Sequence, residues 1–575
     1  METDLFADLW KSLVATGDAP YVLGALGLFG ALTLLDKSQR KGKLATGYLG
    51  GAEERTNARK MALQQIKQKE HNEVTLYIDK PKFLDNPEPR YAFPKPVYFP
   101  DAQRGILVAG GPGTGKTVTV IEPCIRSSLD QGFPTIVYDF KYPAQTSRIY
   151  EYAKKSGYEV FIFAPGFPES EVCNPLDFLR DETDAETASQ IATTLNRNFK
   201  MNSKGIADPF FDISGDQLVQ AVLMAAKSTP FPDIMTCQAI LSIPNLAFAV
   251  KKAIASGDLN YWVGSAFTQL ISVKDSEKTV ASIIATANIL FTRFMKPTIL
   301  AAFCGETTLP IQPKRKQMLI FGVDRERKDV VSPLLAVVLD RIISRNVSRS
   351  RRDPLIAFFD ELPTLYLPQL PEWLNQNRED GLVIVSGIQN MVQLEEPYGD
   401  KLARAIFGGH ATKNIFNPQE LVSAETYSKY LGEEDVLLKQ KSRGYSSGKP
   451  NTSSSDQDRT RKLREPSQFL KLPKGKFILI NPAYSNAREE SVPIEQKIVI
   501  PKIVIQTLKA KQKNWASTWG RKLTAQKNYT QPTIEDVKLR LKAADNLFPK
   551  HEEEEETEKT PKLSKSDVIE LRKNI

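Results

Sequence analysis

The stretch GILVAGGPGTGKTVTV, Gly105 to Val120, sets Gly110, Gly115, Lys116 and Thr117 in the G-x-x-x-x-G-K-[ST] spacing of a phosphate-binding loop. Such a loop works because consecutive backbone N–H groups and a helix N-terminus converge on anionic oxygens. Gly110, Gly111, Gly113 and Gly115 allow the tight turn around Pro112 and Thr114. Lys116 is expected to reach the β and γ phosphates of a nucleotide, and the Thr117 hydroxyl to bind Mg2+. A second element, LIAFFDEL, runs apolar residues into Asp360 and Glu361. At the carboxyl end of a buried strand, Asp360 would hold Mg2+ directly or through water. Glu361 would orient or deprotonate an attacking water. A helix-capping acidic pair is the competing account, and the phosphate loop weighs against it. The chemistry is then phosphoryl transfer to water, and the absence of an N-K-x-D guanine signature favours ATP.

Two further residues keep two readings each. Gln389, in VIVSGIQNMVQL, ends the next strand, where its amide either touches the γ-phosphate or the water, or is an exposed loop group. Arg378, in LNQNREDG, is an ordinary surface arginine unless subunits form a ring. In a ring it could reach a neighbour's ATP and offset transition-state charge.

Lys116 and Asp360 are more than two hundred positions apart, too far for nearby strands of one sheet unless a domain intervenes. The elements supply one. GILVAG, PTIVYDFK and YEVFIFAP are short apolar runs alternating with helical patterns, as an α/β fold with a doubly wound, mostly parallel sheet requires. From 181 to 305 the rhythm becomes purely helical, which predicts an inserted all-α domain. The α/β pattern resumes over 306–506 with KQMLIFGVD, DPLIAFFDE, GLVIVSGIQ and KFILIN. The first part of the nucleotide-binding domain is assigned to 46–180. Residues 439–460, rich in Ser, Gly and charge, read as a mobile loop. Residues 507–575 read as a polar, partly disordered tail that ends in the acidic run from His551 to Glu558.

Composition is that of a globular protein: of 575 residues, 41% are hydrophobic and 25% charged. The net charge of +9 is compatible with nucleic acid or an anionic membrane without requiring either. Four scattered cysteines and three histidines provide neither a zinc site nor a disulfide framework, so a reducing compartment suits the main body. Residues 1–45 differ. The uncharged run 19–35 would make a helix of roughly 25 Å, slightly short of a bilayer's hydrocarbon core of about 30 Å, with a signal peptide or a buried core helix as the competing accounts. Lys37, Arg40, Lys41 and Lys43 follow it, which predicts a single-pass anchor with the main body cytoplasmic. Two basic clusters, Pro313–Lys316 and Ser348–Arg352, are candidate contacts to DNA phosphates, with a solvated surface as the plainer account of each.

This ordered set resembles the TraG/TraD-type coupling ATPases of conjugation and type IV secretion. VYDFK is similar to that family's D-x-K motif, although Tyr142-Pro143 departs from the usual G-E. CNPLDFL, DPFFDISGDQLVQAVLMAA, FFDELPTL, GIQNMVQL and NPQELVSAETYSKYLGE resemble its later motifs, in order, over roughly 46–500. The resemblance implies a RecA-like motor core and a homo-hexameric ring at the bacterial inner membrane. It also implies translocation of DNA, single-stranded by expectation and bound to a relaxase, toward a secretion channel. Gln389 becomes a γ-phosphate sensor and Arg378 a trans-acting arginine finger by the same implication. Two rivals remain: an FtsK-type DNA translocase, and a non-translocating secretion-assembly ATPase or scaffold.

Overall fold

A computed structural model describes residues 47–79, 95–201, 209–446, 449–527 and 529–548. The uncharged run 19–35 and the acidic run 551–558 lie outside the described residues. Among the described residues no single helix is long and apolar enough to cross a membrane. The chain divides into two compact units. One takes the residues up to Ala164 together with Pro310–Glu326 and Ile342–Ala525; the other takes Pro165–Leu309, Arg327–Arg341 and the residues from Gln526 onward.

The first unit opens with the helix Ala52–Gln68 and the antiparallel pair β1 (Leu76–Ile78) and β2 (Val97–Phe99). A nine-stranded sheet follows, built from β3 (Ile106–Ala109), β4 (Thr135–Asp139), β5 (Glu159–Phe163), β6 (Gln317–Gly322), β7 (Leu355–Phe359), β8 (Leu382–Ile388) and β9 (Thr412–Ile415). A two-stranded antiparallel ribbon of β10 (Glu433–Ser446) and β11 (Lys449–Lys462) comes next in the chain. The last strands of the large sheet are β12 (Lys476–Ile480) and β13 (Ile494–Lys497).

The sheet order is β13-β12-β9-β3-β8-β7-β4-β6-β5. From β9 to β5 all neighbours are parallel, and only β12 runs against them. The mostly parallel α/β architecture expected from the alternating apolar runs is therefore present. Every residue of β3, β4, β7 and β8 is buried, as it must be when a parallel sheet is covered on both faces. Parallel strands deliver all their carboxyl ends to one edge. The residues following β3, β4, β7 and β8 therefore meet there, whatever their separation in sequence.

In the second unit the described residues between β5 and β6 form helices and no strand. The longest are Ala185–Met201, Pro209–Lys227 and Glu277–Phe294. The unit also takes in the helix Ile534–Leu547, where Arg540 donates to Asp233 at 2.8 Å and lies over the Phe231 ring.

Two segments differ from the sequence reading. Of the stretch 439–460, read as a mobile loop, the described residues 439–446 and 449–460 run in the ribbon β10–β11. An antiparallel ribbon pairs its own backbone groups across the two strands, so it forms without the apolar alternation that would have marked it. The segment from 507, read as a polar tail, carries helices among its described residues, the last of them Ile534–Leu547. Its anchors are sparse and therefore faint in sequence: in the first unit Trp515 is buried edge-on against Tyr150, with ring centroids 5.4 Å apart.

Candidate functional site

Three separate segments of the first unit hold the phosphate loop. Gly110 N–H donates to Ile388 O at 3.1 Å, Gly111 N–H to Asn417 O at 2.7 Å, and Gly475 N–H to Thr114 O at 3.0 Å. Gly115 has φ +103°, a conformation that side chains with a Cβ rarely adopt. The helix after the loop starts with a π-wound turn, Thr117–Ile121. Pro123, just beyond it, has no N–H to offer Thr119 O four residues back.

Lys116 is buried and its ammonium donates to Gly110 O at 2.7 Å. Desolvation pulls its pKa down, opposed by the nearby carboxylates of Glu361 and Asp360. The Thr117 hydroxyl lies 3.0 and 2.9 Å from the two carboxylate oxygens of Asp360. A hydroxyl beside a carboxylate is a hard-oxygen donor set of the kind that suits Mg2+. Burial raises the pKa of both Asp360 and Glu361, with Lys116 as the largest opposing influence in each case.

The sheet order explains Gln389. β8 lies between β3 and β7, so the residue after it stands between the phosphate loop and the acidic pair. Its amide Nε2 donates to Glu361 Oε1 at 2.9 Å, and Gln393 Nε2 lies 3.3 Å from Gln389 Oε1. Of the two readings that sequence left open, the structure places Gln389 inside the site. Gly387, two residues earlier, allows a close approach: a Cβ there would lie 2.2 Å from the Asp360 carbonyl oxygen.

Asp139 of the D-x-K motif is buried and fully engaged. It accepts from Thr146 N–H and Oγ1, both at 2.8 Å, from Gln145 N–H at 3.0 Å and from Lys141 N–H at 3.2 Å. It folds the loop after β4 and caps the helix Thr146–Lys155. Lys141, Gln145 and Arg148 are thereby presented to a cavity of about 530 Å³ shared with Gly111–Thr117, Asp360, Glu361 and Gln389. Lys474 and Gly475, packed against the phosphate loop, also line it, with Ile498–Ile500 and Ile505. The sequence carried no signal for these residues. Gln145 and Arg148 lay close to a recognised motif but at no motif position.

Arg378 is not in this cavity. It is exposed in the loop that precedes β8, at the amino edge of the sheet, beside Arg104 and Glu379. The seven-residue strand β8 separates it from Gln389 by roughly 20 Å. It does not serve the phosphate loop of its own chain. The two basic clusters converge on the same edge, where Arg351 donates to Pro313 O at 2.9 Å and Arg315 pairs with Asp353 at 3.0 Å.

Comparison with known proteins gives a consistent family. Residues 94–487 match the model of the type IV secretion-system coupling protein DNA-binding domain. Coupling protein TraD of Escherichia coli (strain K12) is 36% identical over 111 residues, a stretch covering 19% of this chain and 15% of TraD. The chain thus matches well under two thirds of that relative's length. Among solved structures, the unbound bacterial conjugative coupling protein TrwBdeltaN70 is similar with a TM-score of 0.53 and 16% identity, over 70% of this chain and 87% of that one. The plasmid coupling protein TrwB in complex with ADP and Mg2+ gives 0.53 at 16% identity, over 70% and 86%. At such identities the likeness is one of fold.

Proposed function

Because this chain belongs to the type IV secretion-system coupling proteins, we propose that it is a membrane-anchored, hexamer-forming ATPase. Its hydrolysis of ATP drives DNA, or DNA bound to a relaxase, into a secretion channel. The observation that carries this reading is the meeting of Thr117 with Asp360, and of Glu361 with Gln389, beside one phosphate loop. TrwB structures in complex with ADP and Mg2+, and with an ATP analogue, support a magnesium nucleotide as the ligand.

In this reading the loop N–H groups from Gly113 to Thr117 and the Lys116 ammonium cradle the phosphates. Thr117 and Asp360 would hold Mg2+, which when bound supplies positive charge that offsets the β- and γ-phosphate oxygens. Glu361 accepts the proton of the attacking water as its oxygen bonds to the γ-phosphorus and the bond to the β-phosphate oxygen breaks. Gln389 fixes the Glu361 carboxylate through its amide and couples it to Gln393. Arg378, too far from its own loop, acts on a neighbour's nucleotide in the ring. Residues 19–35 anchor the chain in the inner membrane, with the motor in the cytoplasm and a RecA-like core doing the work.

The test is ATP hydrolysis by the full chain in detergent, with and without single-stranded and duplex DNA at low salt. DNA should stimulate turnover, and Lys116→Ala and Glu361→Gln should each reduce it by at least about a hundredfold. Glu361→Gln should still bind ATP. Turnover indifferent to DNA, in a preparation shown to form rings, would instead make the protein a non-translocating assembly ATPase.

A further inference from the structure

The cavity has a polar wall that belongs to none of the recognised motifs. Gln145 is only 4% exposed, and neither atom of its side-chain amide has a hydrogen-bond partner. One turn later, Arg148 Nε is also buried without a partner. Both residues line the cavity that holds Lys116, Thr117 and Asp360. Buried donors and acceptors are costly to leave unpaired, so two of them on one helical turn, facing one cavity, point to a ligand that satisfies them.

Arg148 is also aimed. Its Nη1 donates at 2.9 Å to Glu122 Oε1, and Glu122 is fully buried on the helix that follows the phosphate loop. Its Nη2 has a longer, exposed contact of 3.3 Å with Gln512. The salt bridge therefore fixes the guanidinium by one nitrogen and leaves Nε for another partner. Arg148 lines the cavity together with Lys116, Lys141 and Asp360. Arginine suits this position, because its planar set of donors matches phosphate oxygens.

We propose that Gln145 and Arg148 form a second phosphate-binding wall, contacting the terminal phosphates of a nucleoside triphosphate held by the loop of the same chain. Glu122 is the positioning residue behind Arg148. This rests on the reading of the cavity as a nucleotide site. It gives each subunit a cationic contact of its own, distinct from any arginine supplied by a neighbour.

The experiment uses the full chain in detergent. It measures the KM for ATP and the rise in melting temperature caused by ADP and by a non-hydrolysable ATP analogue. Arg148→Gln should raise KM about tenfold or more and shrink the rise given by the ATP analogue, while the ADP rise stays close to that of the unaltered chain. Gln145→Leu should raise KM about threefold. Arg148→Gln alone leaves the buried Glu122 carboxylate only the longer ion pair with Arg126 at 4.0 Å, so the double variant Glu122→Gln/Arg148→Gln separates folding from binding. It should recover the melting temperature without ligand but not the KM. A double variant with unaltered KM would overturn the proposal, making Arg148 a structural counter-ion of Glu122. An unaltered chain that gains no stability from either nucleotide would overturn the reading of the cavity itself, and this assignment with it.

Discussion

Asp139 and Asp360 invite comparison. They stand at or just beyond the carboxyl ends of β4 and β7, which are neighbours in the sheet, and both are acids following a run of apolar residues, Asp139 buried and Asp360 part-exposed. Asp139 accepts four hydrogen bonds from the loop and helix that follow it. Asp360 is met by one hydroxyl, Thr117, and otherwise faces the cavity. One carboxylate is consumed in shaping a loop and the other is kept for a ligand. An acid at a strand end acquires its role from what is left over once the backbone around it has been satisfied.

Alanine at each position tests the contrast most strongly. Asp360→Ala should cut hydrolysis by at least about a hundredfold while leaving the melting temperature unchanged or raised, since it removes a desolvated charge. Asp139→Ala should strand several buried N–H groups and lower stability by about 2–4 kcal/mol, seen in thermal denaturation without nucleotide. If the two effects were exchanged, the comparison would fail.

A smaller effect comes from the space beside Asp360. Gly387→Ala puts a methyl group against the Asp360 backbone, and β8 or the acidic turn must shift. Hydrolysis should fall about tenfold, with about 1–3 kcal/mol of destabilisation from overpacking. Activity equal to that of the unaltered chain would show that the placing of Asp360 tolerates such a shift.

The smallest effect concerns pH. Burial holds the Glu361 pKa above the usual carboxylate range, and the hydrogen bond from Gln389 opposes the rise. As a base Glu361 must be ionised, so turnover should decline as pH falls through that raised value. Gln389→Leu removes the opposing hydrogen bond and should move the acid limb of the kcat profile to higher pH. A limb that stays in place would separate Gln389 from the titration of Glu361.

The sequence by itself determined the chemistry of the phosphate loop and of LIAFFDEL, because both depend on local spacing: four glycines and a lysine in one case, an acid ending a buried strand in the other. It also determined the mostly parallel α/β class, since strands covered on both faces are apolar throughout. Only the tertiary structure decided which distant residues share the cavity, because the order β3-β8-β7-β4 is not written in any local pattern. That order put Gln389 beside Glu361 and left Arg378 at the opposite edge. Hydrogen-bond satisfaction is likewise a property of the packed chain. Sequence could mark Asp139 as a motif residue, but only the folded loop shows that its oxygens are already engaged, while the amide of Gln145 and Nε of Arg148 are not.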